Sequence, residues 1–324
     1  MNFNSSTYYE EYKKKLITPD QAAKLVKSGD WVQYGEFVCQ PKACDAALAK
    51  RKDELEDVKF RLVTMSWLPE VCKADPERES FVMNDWHFSG VSRMLQEKDL
   101  CNYIPITYHE GPTIYDRGYT PVDVSFQAVT AMDKNGFFNI STSNSLAPCI
   151  NRSAKIKVAE VNTSLPVCLG GYGESIHISD IDYIVESPDN PPPLNLPVVS
   201  GTDADKKIAE LILADMRDGD CLQLGIGGMP NLVGEMISKS DLKDLGVHTE
   251  MLCDSFVDMY EAGKLTGKRK NIDPGKIVYT FAMGSKKLYD FLDHNPACAI
   301  FPVDYTNDPY LIARMDNMCC INNA

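Results

Sequence analysis

A seven-residue phrase occurs twice in this chain. Gly29-Asp30-Trp31-Val32-Gln33-Tyr34-Gly35 and Gly219-Asp220-Cys221-Leu222-Gln223-Leu224-Gly225 match in glycine, aspartate, glutamine and final glycine. A helical pattern precedes each copy, Gln21–Ser28 and Ala204–Arg217, and a proline follows each, Pro41 and Pro230. A second apolar strand comes next, Val58–Met65 in one copy and Val247–Cys253 in the other. Helix and strand alternating in two matched series predict two related α/β domains with largely parallel sheets. Ser187-Pro188-Asp189-Asn190-Pro191-Pro192-Pro193 stands just ahead of the second copy. Proline fixes φ and lacks the N–H, so this stretch reads as a stiff linker. The expected domains are therefore 1–197 and 198–324.

The two copies differ where chemistry needs them to. After the strand, the second has Gly225-Ile226-Gly227-Gly228-Met229-Pro230, and the first has Gly35-Glu36-Phe37-Val38. Glycines admit a ligand close to the backbone, and a helix start aims N–H groups at it. Pro230 suits the first turn of that helix. Val247–Cys253 reads as a strand with a carboxylate, Glu250, in its middle. Counted from Val58 and Val247, Arg61 stands opposite Glu250. A carboxylate beside a turn of N–H groups can act on a carbonyl whose oxygen those groups hold. The second domain is thus expected to be catalytic and the first supporting, and a salt-bridged structural Glu250 is the bland alternative.

Composition narrows the classes. The 324 residues are 44% apolar and carry a net charge of −13. That charge argues against a nucleic-acid groove. No apolar run approaches the ~20 residues of a membrane span, and residues 1–15 lack a signal-peptide core. Eleven scattered cysteines without a CxxC pair fit thiols in a reducing cytoplasm. The five histidines lie far apart without HxxxH or HExxH spacing, so no metal site is expected.

Along the chain, Pro19–Ser28 and Ala43–Arg51 read as helices, and 31–34, 122–129 and 156–161 as strands. Asp133–Gly136 is a turn that Phe137–Ile140 answers as a returning strand. Beyond the linker, a helix is expected to present Ala204, Ile208, Leu211, Ile212 and Met216 to a core. Further strands are expected at 277–282 and 299–303, with a helix at 285–292. Cys319-Cys320-Ile321 reads as a strand in progress.

With these blocks in view, the chain resembles the class I coenzyme A transferases, within the acetyl-CoA hydrolase/transferase superfamily. It is most similar there to the butyryl-CoA:acetate and 4-hydroxybutyrate CoA-transferase group. The carrying segments are Gly29–Lys50, Asp123–Asn139, Ala159–Asn162, Cys168–Gly171, Glu174–Ser179, Gln223–Pro230, His248–Met251, Lys270–Asp273, Gly284–Pro296 and Pro302–Asp308. The resemblance implies two NagB/RpiA-like domains, the second incomplete, with the active site between them. It places the catalytic glutamate at Glu250. It implies oxyanion and CoA binding by Gln223, Gly225, Ile226, Gly227, Gly228 and Pro230, and substrate binding by Asn307. The implied reaction is a ping-pong exchange of coenzyme A between a short-chain acyl-CoA and a carboxylate. An acyl-glutamyl anhydride and a glutamyl-CoA thioester are its intermediates. Coenzyme A is then substrate and covalent partner, with no tightly bound cofactor, and the protein a cytoplasmic homo-oligomer. A further glycine loop of the family pattern, normally beyond Pro302–Asp308, is absent here. Acyl-CoA hydrolysis on the same scaffold and a non-catalytic remnant remain open. A nicotinamide site is disfavoured, because Gly225-x-Gly227-Gly228 does not complete G-x-G-x-x-G.

Overall fold

The computed structural model describes residues 8–196 and 201–322. Two compact units divide the chain. The first takes residues up to 167 together with 173–193, and the second takes 168–172 together with 194 onward. The expected boundary at 197–198 falls in 197–200, outside the described residues.

The first unit contains β1 (Trp31–Tyr34), β2 (Val58–Leu62), β3 (Phe81–Asp85), β4 (Cys101–Tyr103), β5 (Val122–Val129), β6 (Phe137–Asn139), β7 (Ala154–Val161), β8 (Ser175–His177) and β9 (Tyr183–Glu186). Seven of these form a parallel sheet in the order β4-β3-β2-β1-β5-β7-β9. Tyr34, Phe60 and Phe126 meet edge to face at its centre, all buried. Each such ring contributes about 1.5–3 kcal/mol by leaving water.

The second unit contains β10 (Cys221–Leu224), β11 (Gly246–His248), β12 (Met251–Leu252), β13 (Ile277–Tyr279), β14 (Phe281–Ala282), β15 (Cys298–Ile300) and β16 (Met318–Ile321). Its main sheet is also parallel, in the order β15-β13-β11-β10-β16. The α/β architecture with parallel sheets is the one expected.

The duplicated phrase forms β1 and β10, and each plays the same part. Each is the first strand of its sheet, and the strand order reverses beside it, between β1 and β5 and between β10 and β16. In each, the closing glycine donates its N–H across that reversal, Gly35 to the Phe126 carbonyl at 2.9 Å and Gly225 to the Ile321 carbonyl at 2.8 Å. Open α/β sheets bind ligands in the crevice at such a reversal, outside the carboxyl ends of the strands.

Three local expectations are corrected and one is extended. Trp31 lies opposite Lys59 and Cys221 opposite Gly246, so the strand register aligns Arg61 with His248 and Val63 with Glu250. Val247–Cys253 is no single strand. β11 ends at His248, and β12 resumes at Met251 in a separate two-stranded ladder with β14. Phe137–Asn139 returns from the turn as expected, accepting from the amides of Asp133 at 2.8 Å and Thr130 at 2.9 Å, and also pairs antiparallel with β8. The helix Asp203–Asp215 buries only Ala209, while Ile208 and Leu211 stay 44% and 61% exposed. Periodicity locates an apolar face, but only tertiary packing decides whether something covers it.

Candidate functional site

The carboxyl ends of β10, β11 and β16 gather the residues singled out in the second unit. β10 runs into Gly225, where a Cβ would stand 2.8 Å from the Asn322 side-chain oxygen and 3.3 Å from the Asn322 Cα. Its N–H is committed to Ile321, as described, and is therefore spent on the sheet. Ile226 is 52% exposed. Gly227 has φ +131°, a conformation closed to L side chains, and opens the helix Gly228–Lys239. Pro230 sits in its first turn and carries no N–H to offer. The amides of Gly228 and Met229, at the first two helical positions, have no carbonyl within the helix to bond.

The equivalent helix of the first unit shows what usually fills such a place. The helix Lys42–Ala49 receives the buried Glu160 carboxylate of β7, which accepts from the amides of Ala43 at 3.0 Å and Cys44 at 2.8 Å. The helix Gly228–Lys239 has Gly227 at its N-cap, a residue with no side chain to cap with. One duplicate is plugged by an internal anion, and the other begins on a glycine.

Glu250 occupies the break between β11 and β12. Its half-buried position follows from that interruption. Its carbonyl accepts from Thr280 at 3.0 Å, the residue that breaks β13 from β14, and from Phe281 at 3.3 Å, which opens β14. The backbone is thus pinned from below, and the side chain leaves the ladder. Its Oε2 accepts from Asn307 Nδ2 at 2.5 Å. The neighbouring Thr249 is wholly buried. Its hydroxyl donates to the Met251 carbonyl at 3.0 Å and accepts from the Leu224 amide at 3.4 Å. That bond ties the Glu250 corner to the strand leading into the glycine turn. β10 and β11 are paired neighbours, and neighbouring strands lie about 4.8 Å apart.

Gln223 and Asn322 exchange two side-chain hydrogen bonds, at 3.0 and 2.9 Å, across the β10–β16 reversal. A cleft of about 390 Å³ adjoins them, with Met229, Ile321 and Asn322 on its wall beside Ile212 and Met216. Among the described residues, no group of three or more His, Cys, Asp or Glu side chains is placed to hold a metal ion. No helix there is long and apolar enough to cross a membrane.

Sequence reasoning singled out Glu250, Asn307, Gln223 and the glycine turn, but not the contacts that join them. Thr249, Asn322 and the two paired strand breaks went unnoticed, because each acts on a partner remote in sequence. Asn322 had one available signal, as the residue that follows an apolar strand at the place where the repeat has its reversal.

Comparison with known proteins gives these positions a context. Residues 1–195 match the acetyl-CoA hydrolase/transferase N-terminal domain, and residues 284–324 match the corresponding C-terminal domain. The chain is 48% identical over 319 residues to a butyryl-CoA:acetate CoA-transferase of Anaerostipes caccae, covering 98% of this chain and 71% of that protein. Among solved structures, RipA from Yersinia pestis superposes with a TM-score of 0.88 at 32% identity, over 99% of this chain and 74% of that one. A 4-hydroxybutyrate CoA-transferase from Porphyromonas gingivalis gives a TM-score of 0.80 at 29% identity, over 98% and 74%.

Proposed function

Because the chain belongs to the acetyl-CoA hydrolase/transferase family, an enzyme of the CoA-transferase type, we propose that it exchanges coenzyme A between a short-chain acyl-CoA and a small carboxylic acid, with Glu250 as nucleophile. The observation that carries this reading is the placement of Glu250 at a strand break. It is held by Asn307 and stands on the strand next to an uncapped glycine-turn helix start.

The chemistry follows from those positions. An ionised carboxylate is a weak nucleophile and gains from being oriented. Asn307 turns one N–H toward Glu250 and keeps the second for a substrate oxygen. The Glu250 oxygen attacks the thioester carbonyl, the carbon–sulfur bond breaks, and an acyl-glutamyl anhydride and CoA thiolate result. The thiolate then attacks the glutamyl carbonyl. The acyl group leaves as its carboxylate, and a glutamyl-CoA thioester remains. The acceptor acid runs the sequence backward and departs as the new acyl-CoA. Oxyanions formed on the way are stabilised by the amides of Gly228 and Met229, one such donor being worth about 2.7–4 kcal/mol. Gly225 supports this from behind by holding the turn to β16, and Gln223 by its amide pair with Asn322.

Glu250→Gln removes the nucleophile and preserves the shape. It is expected to abolish butyryl-CoA:acetate exchange while the unfolding midpoint stays put. Hydroxylamine or borohydride added during turnover is expected to modify Glu250 in the native chain. Undiminished exchange by the variant would overturn the assignment. Loss of acyl-CoA at the same rate without any acceptor acid would make the reaction hydrolysis.

A further inference from the structure

His248 lies on β11, two residues before Glu250, and is 1% exposed. Its Nε2 stands 2.7 Å from the Thr306 carbonyl oxygen. A carbonyl only accepts, so Nε2 carries the hydrogen. The remaining ring nitrogen, Nδ1, is buried and has no hydrogen-bond partner among the described residues. A second proton there would have nothing to bind. Burial accordingly drives the imidazole down to about 4, and the ring is a neutral Nε2–H donor at working pH. It is thereby unsuited to shuttling protons, although it is the histidine nearest in sequence to Glu250.

The residue it grips is informative. Thr306 ends the four-residue helix Val303–Thr306, Asn307 follows, and a second four-residue helix, Pro309–Ile312, begins at once. Helices this short do not hold themselves. The segment is fastened from outside. Tyr305 donates to Asp273 at 2.8 Å and stacks on Phe301 with centroids 4.2 Å apart. Asp308 caps the second helix through the amides of Tyr310 and Leu311. The tie next to Asn307 is the one from His248. Asn307 in turn donates to Glu250.

We propose that His248 is a positioning residue for CoA transfer: its grip on the Thr306 carbonyl fixes the Asn307 turn, and through Asn307 it sets the direction of the Glu250 carboxylate. Strand β11 then controls its own reactive corner twice. It does so directly, by chain connectivity to Glu250, and by a loop through residues 306 and 307. This inference rests on the reading of Glu250 as nucleophile.

The test is a double-mutant cycle on the full chain, read by butyryl-CoA:acetate exchange and by NMR. His248→Phe fills the space and removes the donor. It is expected to lower kcat by about a hundredfold, as a small misplacement of a reacting group does, with KM for butyryl-CoA little changed. His248→Gln returns an N–H near the Nε2 place and is expected to restore most of that loss. In an Asn307→Ala background, His248→Phe is expected to cost nothing more. Native kcat in His248→Phe, or losses that multiply with Asn307→Ala, would overturn the proposal. The NMR arm does not depend on turnover. The Asn307 side-chain amide resonances are expected to shift in His248→Phe and return in His248→Gln, and unmoved resonances would also overturn it. If Glu250→Gln retained exchange while those resonances moved as expected, the nucleophile reading would fall and the hydrogen-bond chain would stand. Should His248→Phe not fold, His248→Met against His248→Gln makes the same comparison.

Discussion

Glu36 is wholly buried at the carboxyl end of β1, the place the duplication matches with the glycine turn of β10. Its Oε2 accepts from the Leu146 amide at 3.2 Å, and its Oε1 has no partner among the described residues. Burial pushes the carboxyl up to about 7, against the lowering effect of Ser145 and that amide, and Asp85 adds to the rise. The folded state therefore binds more protons than the unfolded one between pH 4.5 and 7. Stability from this group is complete below pH 4.5 and lost as pH rises through 7, a difference of about 3 kcal/mol. Glu36→Gln should flatten that part of the profile and raise the urea midpoint of the first unit at pH 8. A pH profile identical to that of the native chain would refute it. His248 tilts the second unit the other way, since a ring held neutral down to about 4 favours folding as pH climbs from there to 6.5. Neither response was readable in the sequence. Burial and the partners Leu146 and Thr306 come from elsewhere in the chain.

At the scale of elements, the repeat was the legible part. It located β1 and β10, the glycine that closes each, and the parallel sheet each one seeds. It did not show that the two glycines of the phrase work for different reasons. A Cβ on Gly35 would stand 2.2 Å from the Cys39 carbonyl oxygen, a backbone atom that cannot step aside. Gly29 has φ +83° with nothing within 4 Å. Gly35→Ala is expected to destabilise the first unit by about 3 kcal/mol through steric overlap. Gly29→Ala should cost only about 1–2 kcal/mol of backbone strain. Equal losses in chemical denaturation would contradict the distinction. The break at Glu250 was hidden for a related reason. Val247–Cys253 holds no glycine or proline to mark an interruption, and apolar residues resume at Met251 beyond the point where the ladder partner changes from β13 to β14. Only the matching interruption at Thr280 reveals it, and that residue is thirty positions away.

For the molecule as a whole, the two units differ in how their sheets end. In the first, β5 is followed outward by β7 and β9, and in the second no strand lies beyond the corresponding β16 among the described residues. Ile208 and Leu211 stand exposed on the helix Asp203–Asp215. Ile208 also lines the cleft shared with Cys320 and Ile321. Edge strands and apolar patches promote association. Leu211→Glu is expected to leave the unfolding midpoint within about 0.5 kcal/mol of native and to reduce light scattering on heating. A large loss of stability would mean that Leu211 is covered in solution. The opposite edge is treated otherwise. Residues 168–172 leave the first unit, lie along β15, and return. Leu169 accepts from the Ile300 amide at 2.9 Å, and Gly171 donates to the Ile300 carbonyl at 3.2 Å. A Cβ on Gly171 would collide with the Phe301 ring at 1.8 Å, so the strap needs a glycine there. The chain consequently passes from one unit to the other three times. No single cut yields two whole halves: a break near residue 197 would leave one fragment trailing a loose ribbon and the other with a seam undone. The duplicates are stitched together by covalent topology, and a gene split at their obvious border would have to restore that thread by mutual recognition.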